Sequence, residues 1–144
     1  MMELSSLFRV VHPPASTHAI ESLRKACGIL PTSYETFLAQ ADGAEWCVND
    51  RGGDCLALWR ANKIEEMNAA YEIPRYLADF LAIGSDGGGY AIGFDRAASP
   101  DPERWPVVLI GFGDLDRNEF VQLADGFQAW CDAGCPLRTS SKTG

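Results

Sequence analysis

Apolar positions recur in two rhythms along this chain, and the change from one to the other predicts its elements. Ile20, Leu23 and Cys27 fall on one face of a helix. Ser16 or Thr17 stands ready to cap its start, and Gly28 suits the position just past its end. Tyr34, Phe37, Leu38 and Ala41 then follow the i, i+3, i+4, i+7 spacing of a second amphipathic helix. Pro31 fits its first position, because a missing N–H costs nothing there. Asp42-Gly43 stops it.

The rhythm then shortens. Trp46 to Val48 and Cys55 to Trp59 read as strands around a turn at residues 49–53. A third helix is expected from Asn62, with Glu65 completing a capping box and Ile64, Met67 and Tyr71 on its apolar face. Phe80 to Ile83 is a continuous apolar strand. Tyr90, Ile92 and Phe94 alternate with small or polar residues, so this strand is expected to show one face to the core. The Ser85-Asp86-Gly87-Gly88-Gly89 run joins the two as a hairpin. After a polar loop at 96–106 come a buried strand, Val107 to Ile110, a further strand at Phe120 to Leu123, and a last helix from about Asp125 carrying Phe127, Trp130 and Cys131.

Segregated runs of helices and antiparallel strands point to an α+β fold, one central antiparallel sheet with helices packed against it. The 144 residues suit a single domain. Its expected limits are 16–135, after a loose lead-in at 1–15 and before a flexible tail at 136–144.

Charge narrows the partners. Twelve basic against twenty acidic residues leave a net charge of −8. Residues 79–125 hold nine acidic and three basic side chains, net −6, so the acidity is concentrated in the second half. Binding nucleic acid or an anionic membrane requires Lys and Arg to displace counterions, so neither is expected as a partner. A basic protein is. No apolar run approaches the roughly 20 residues of a spanning helix. The start lacks the features of a signal peptide. Five cysteines, an odd number, suggest reduced thiols and a cytoplasmic home.

Catalytic and metal chemistries find little support. The two histidines, His12 and His18, lie near the N-terminus, away from any obvious nucleophile. Cys47, Cys55, Cys131 and Cys135 lack the close pairing of zinc ribbons and read as buried thiols. Asp114, Asp116 and Asn118 begin like a calcium loop, with Asp125 at position 12, but Glu119 occupies the place where a sharp turn needs Gly. The glycine cluster carries an Asp rather than a Lys and joins two strands, which makes it a turn rather than a phosphate cradle. No cofactor and no metal are expected.

Three segments together resemble a known family. They are LPTSYETFLAQADGAEW (Leu30 to Trp46), DFLAIGSDGGGYAIGFD (Asp79 to Asp95) and FVQLADGFQAWC (Phe120 to Cys131). In order and spacing they resemble the SUKH superfamily over about Ser16 to Cys131, the Gly-rich turn being the most specific feature. Gly126 departs from the pattern, in which the final helix more often has Ser. The resemblance implies an α+β fold with a central antiparallel sheet. It also implies a non-catalytic, protein-binding role, since bacterial members are typically immunity proteins that neutralise a secreted toxin in the cytoplasm, often a nuclease, and eukaryotic members include cell-wall assembly regulators. It implies no shared catalytic set.

An acidic inhibitor suits a basic nuclease both by steering and by mimicry of phosphate. The residues expected to meet such a partner are Asp86, Asp95, Asp101, Glu103, Asp114 and Asp116, with Trp105 filling an apolar pocket. The alternative is a regulatory or scaffold domain acting on a host protein.

Overall fold

The computed structural model describes residues 10–48 and 54–137. Within them the fold is α+β: a seven-stranded antiparallel sheet with five α-helices packed against it. The chain opens with β1 (Val10–Val11), α1 (Thr17–Cys27) and α2 (Thr32–Gln40). It continues through the hairpin β2 (Ala44–Val48) and β3 (Asp54–Leu58), then α3 (Ala61–Ala70) and the single turn α4 (Ile73–Tyr76). It ends with β4 (Phe80–Ser85), β5 (Tyr90–Asp95), β6 (Val107–Gly111), β7 (Val121–Ala124) and α5 (Phe127–Asp132). The strands lie in sequence order from β1 to β7, each paired with the next. Such a meander needs only local connections.

Local chemistry sets the helix ends. The Ser16 hydroxyl accepts from the Ala19 N–H at 3.0 Å, and Gly28 closes α1 with φ 93°. Pro31 stands one position earlier than expected, as the extended residue before α2. The start of α3 is a correction. Arg60 precedes it without a side-chain cap, and Asn62 does not supply one. Asp42, from the α2–β2 connection, does so from a distance: its buried carboxylate accepts from the Ala61 N–H at 2.7 Å and from Arg60 Nε at 3.3 Å.

Residues 10–15, expected as a loose lead-in, are tied to the domain. Val10 and Val11 pair with Glu45 and Ala44 in β2. The Ala15 N–H donates to the Leu38 carbonyl, and the Pro13 carbonyl accepts from Asp42. The turn at 49–53 and the tail beyond Leu137 lie outside the described residues.

The sheet is buried on both faces. One face carries Leu56, Leu58, Leu81, Ile83, Ile92, Phe94 and Val107 against Leu23, Tyr34, Phe37, Leu38, Ile64, Phe127 and Trp130 of the helices. Tyr34, Phe94 and Phe127 meet edge to face, with ring centroids 5.2 to 6.0 Å apart. That geometry matches the quadrupoles of aromatic rings. The opposite face carries Phe80, Ala82, Ala91, Val108 and Ile110 beneath Ile73 and Leu77 of α4. The segment 112–120 crosses this second face like a strap, resting Phe112, Leu115 and Phe120 on it. The expectation that β5 shows only one face to the core is therefore corrected: Ala91, Gly93 and Asp95 are as buried as Ile92 and Phe94.

Candidate functional site

The β4–β5 turn builds one end of the sheet from the Gly-rich segment. The Asp86 carboxylate accepts from the N–H groups of Gly88 and Tyr90, at 2.8 and 3.1 Å, and Ser85 Oγ accepts from Gly87 at 2.8 Å. Gly87 and Gly89 have φ of 79° and 108°, the left-handed region that glycine enters without steric cost. The Phe112 N–H donates to the Gly89 carbonyl, which brings the end of β6 and the start of the strap to the same place. Here Asp114 is exposed, and no hydrogen bond or ion pair among the described residues holds its carboxylate. A side chain at Gly111 would meet Asp114 at 3.4 Å and the Tyr90 ring at 3.7 Å, so these two groups flank one spot. Asp116 follows on the strap, exposed, accepting from the Asn118 N–H at 2.9 Å.

The other expected site residues lie at the opposite end of β5, roughly 16 Å away at the usual strand rise, and most are held by the fold. Asp95 is 7% exposed and takes a two-bonded grip from Arg117, at 2.8 and 2.9 Å. That hydrogen bonding raises the Arg117 guanidinium above its ordinary pKa. Both Glu103 oxygens are occupied by Ser33, accepting from its N–H at 3.0 Å and its hydroxyl at 2.8 Å. Glu103 thereby caps α2 from a loop 70 residues away in sequence. Asp101 accepts from the Glu103 N–H at 3.0 Å and lies 3.8 Å from Arg104, still exposed. Trp105 is 5% exposed. Its indole N–H donates to the Ser99 carbonyl at 2.8 Å and its ring packs near Phe94. A residue packed this way is a core residue, not an exposed anchor. The seven expected residues therefore separate: Asp86 and Asp114 lie toward the turn end, Asp95, Asp101, Glu103 and Trp105 at the other, and Asp116 sits on the strap beside Arg117, sharing a hollow with Leu77 and Asp79 toward the Asp95 end.

One family matches most of the chain. The family model described as SMI1/KNR4 (SUKH-1) matches residues 14–133. The chain belongs to the SUKH-1 family. No curated protein matches the chain.

In this SUKH-1 domain the Gly-rich segment has a structural logic beyond the turn. A side chain at Gly84 would collide with the Ala57 carbonyl of β3, so a glycine there lets the two strands approach. Gly126 has a parallel reason: a side chain would come within 2.6 Å of the Glu103 carbonyl. The departure from Ser at this position thus accompanies a close approach between the Trp105 end and the start of α5.

Three structurally important residues escaped the sequence reading. Asp42, the distant cap of α3, looked like a helix stop. Asn68 is not singled out by the helix pattern. It is buried, with Nδ2 donating to the carbonyls of Ile64 and Ala82 and Oδ1 accepting from the Ala82 N–H at 3.0 Å. Asn68 thus completes the edge of β4 beyond the last residue that β3 pairs. Arg117 is the third, and the Asp-rich context around it was its one visible signal.

The cysteines are also partly a correction. Cys27, Cys131 and Cys135 are free thiols, whereas Cys55 is disulfide-bonded and faces the Cα of Cys47 in the β2–β3 register. Partial burial pushes the Cys27 thiol up from its ordinary pKa, and a hydrogen bond with Cys131 together with burial does the same for Cys135. Thiols shifted this way are weak nucleophiles at neutral pH. Among the described residues, no three His, Cys, Asp or Glu side chains converge as a metal site, and no helix is long and apolar enough to cross a membrane.

Proposed function

We propose that this SUKH-1 domain is an immunity protein that binds and neutralises a basic protein toxin, a nuclease being the case its charge suits best. The supporting observation is exposed acidity running from the turn end along the strap. Asp114 has no partner among the described residues, Asp86 braces the adjoining turn, and Asp116 and Glu119 add exposed carboxylates further along the strap. A toxin that binds polyanions carries Lys and Arg in its active site. Exposed carboxylates steer it into an encounter and take the place of phosphates there. SUKH domains commonly serve in immunity or in regulation, which agrees with a binding role and assigns no reaction to these residues.

On this reading Asp114 and Asp116 make the direct contacts and Asp86 shapes the turn that presents them. Asp101 lies at the edge of the contact or outside it, and Asp95, Glu103 and Trp105 hold the scaffold. The toxin is met in the cytoplasm. Reducing conditions there would open the Cys55 bond, and the five-residue β2–β3 register keeps that hairpin paired without it.

The test is association with the basic domain encoded beside this chain, measured at low salt. Replacing Asp114 and Asp116 together by Lys is expected to slow association at least tenfold and to flatten its salt dependence. An unchanged rate removes the turn end from the interface. If the neighbouring gene encodes no such domain and a host protein binds instead, the regulatory reading replaces this one.

A further inference from the structure

Beside the turn-end carboxylates runs a strip of apolar surface that the helices leave uncovered. Tyr90 is 45% and Val121 41% exposed, and Leu109 is half-buried. The pairing register places them together. Ile92 lies opposite Leu109, Leu109 lies opposite Val121, and Tyr90 stands two residues before Ile92 on the same face of β5. This is the face that α5 covers further along, over Val107 and Leu123.

The strip ends at an open strand. Among the described residues β7 pairs only with β6, so its outer edge has no partner. Natural edge strands are commonly blunted by Lys, Pro or a bulge. The sequence of β7, Val-Gln-Leu-Ala, has neither Lys nor Pro. Its register shift against Val107/Val108 falls at the Leu123–Ala124 end and leaves the Val121–Gln122 end regular. Past Arg117, the described residues that carry this edge hold acidic charge only. Residues 118–137 hold Glu119, Asp125 and Asp132 and no Lys or Arg, while Arg117, just before them, is engaged by Asp95. Asp125 itself is held beside the strand by Gln122, at 2.8 Å.

We infer that the edge of β7 is a strand-addition site for an extended, basic segment of the partner protein. The backbone of that segment continues the sheet past β7. Its alternate side chains lie on Val121, Leu109 and Tyr90, and its Lys or Arg residues meet Glu119, Asp125 and Asp114. Backbone pairing supplies the affinity, and the apolar strip with its acidic border selects the sequence. This deepens the proposed function by naming the surface and the form of the partner, and its partner rests on that reading.

The probe is an octapeptide alternating Lys and Val, compared with the same peptide methylated on alternate backbone amides. The lysines fit the acidic border, and the methyl groups remove the N–H donors that strand addition requires. Titration followed by amide resonances is expected to give saturable, salt-sensitive shifts centred on 121–124 and 107–111, weakened at least tenfold by methylation. Val121→Lys is expected to weaken peptide binding at least tenfold. Ile29→Lys adds the same charge at an exposed apolar position of the α1–α2 connection and is expected to leave it unchanged.

Shifts centred elsewhere, no saturation, or equal binding by the methylated peptide would overturn the inference. A concentration-dependent dimer of the unmodified chain that Val121→Lys abolishes would overturn it in favour of a second copy as the occupant. The two readings fail separately. If the neighbour-encoded basic domain binds the chain and Val121→Lys leaves that affinity unchanged, the edge site falls and the immunity reading stands. If the peptide binds β7 while no such domain binds, the edge site stands as a surface and the immunity reading falls.

Discussion

The two ends of the β5 strand use their acidic residues in opposite ways. At the Trp105 end, Asp95 and Glu103 are the hubs of links between elements distant in sequence: Asp95 grips the strap through Arg117, and Glu103 caps α2 through Ser33. At the turn end, Asp114 has no such engagement among the described residues. The difference teaches that an acidic count does not locate an interface. A carboxylate engaged by partners from other elements contributes to stability and has less charge left to present outward, whereas an unengaged exposed one does the reverse.

The sharpest way to break that comparison is at Trp105. If it belongs to the core, Trp105→Ala removes a buried aromatic and the hydrogen bond to Ser99, and is expected to lower stability by about 3–5 kcal/mol. Urea unfolding measures this. A loss under about 1 kcal/mol would return Trp105 to the surface and make it a candidate anchor again. Next in size is Arg117→Ala. It leaves the Asp95 carboxylate buried without its main partner, at a cost of about 2–3 kcal/mol. It also frees the strap, so amide exchange is expected to accelerate across 112–120 more than across β5. Glu103→Ala follows. Loss of a helix cap costs about 1 kcal/mol, with faster exchange at the start of α2 as the local signature.

Most of the fold was legible in the sequence because it rests on periodicity. The i, i+3, i+4 pattern of Tyr34, Phe37 and Leu38 and the alternation at Tyr90, Ile92 and Phe94 both report burial, and the structure places the elements within a few residues of where the patterns put them. The Gly-rich hairpin was legible for a different reason, since few residues other than glycine accept those backbone angles. What stayed hidden was every interaction between residues far apart in the chain. Asp42 capping α3, Asn68 finishing β4, Glu103 capping α2 and Arg117 holding Asp95 span 19, 14, 70 and 22 positions. Each is a polar residue whose partner is chosen by the tertiary fold, and a local pattern carries no trace of that choice. The candidate site suffered most, because the seven residues were chosen by charge and loop position, which treat the held and the free carboxylate alike.

The smallest expected effect is the one that tests this distinction most directly. Asp114→Lys changes the charge by two at an exposed carboxylate that no described residue holds. Surface substitutions away from caps and networks usually stay within about 0.5 kcal/mol, so its unfolding midpoint should match that of the unaltered protein. A stability loss of 1 kcal/mol or more would mean that Asp114 also supports the fold, and the contrast between the two ends would shrink to one of degree. An unchanged midpoint together with slowed association with a basic partner would separate folding from binding in a single substitution, because neither Trp105, Asp95 nor Glu103 could lose association without first losing stability.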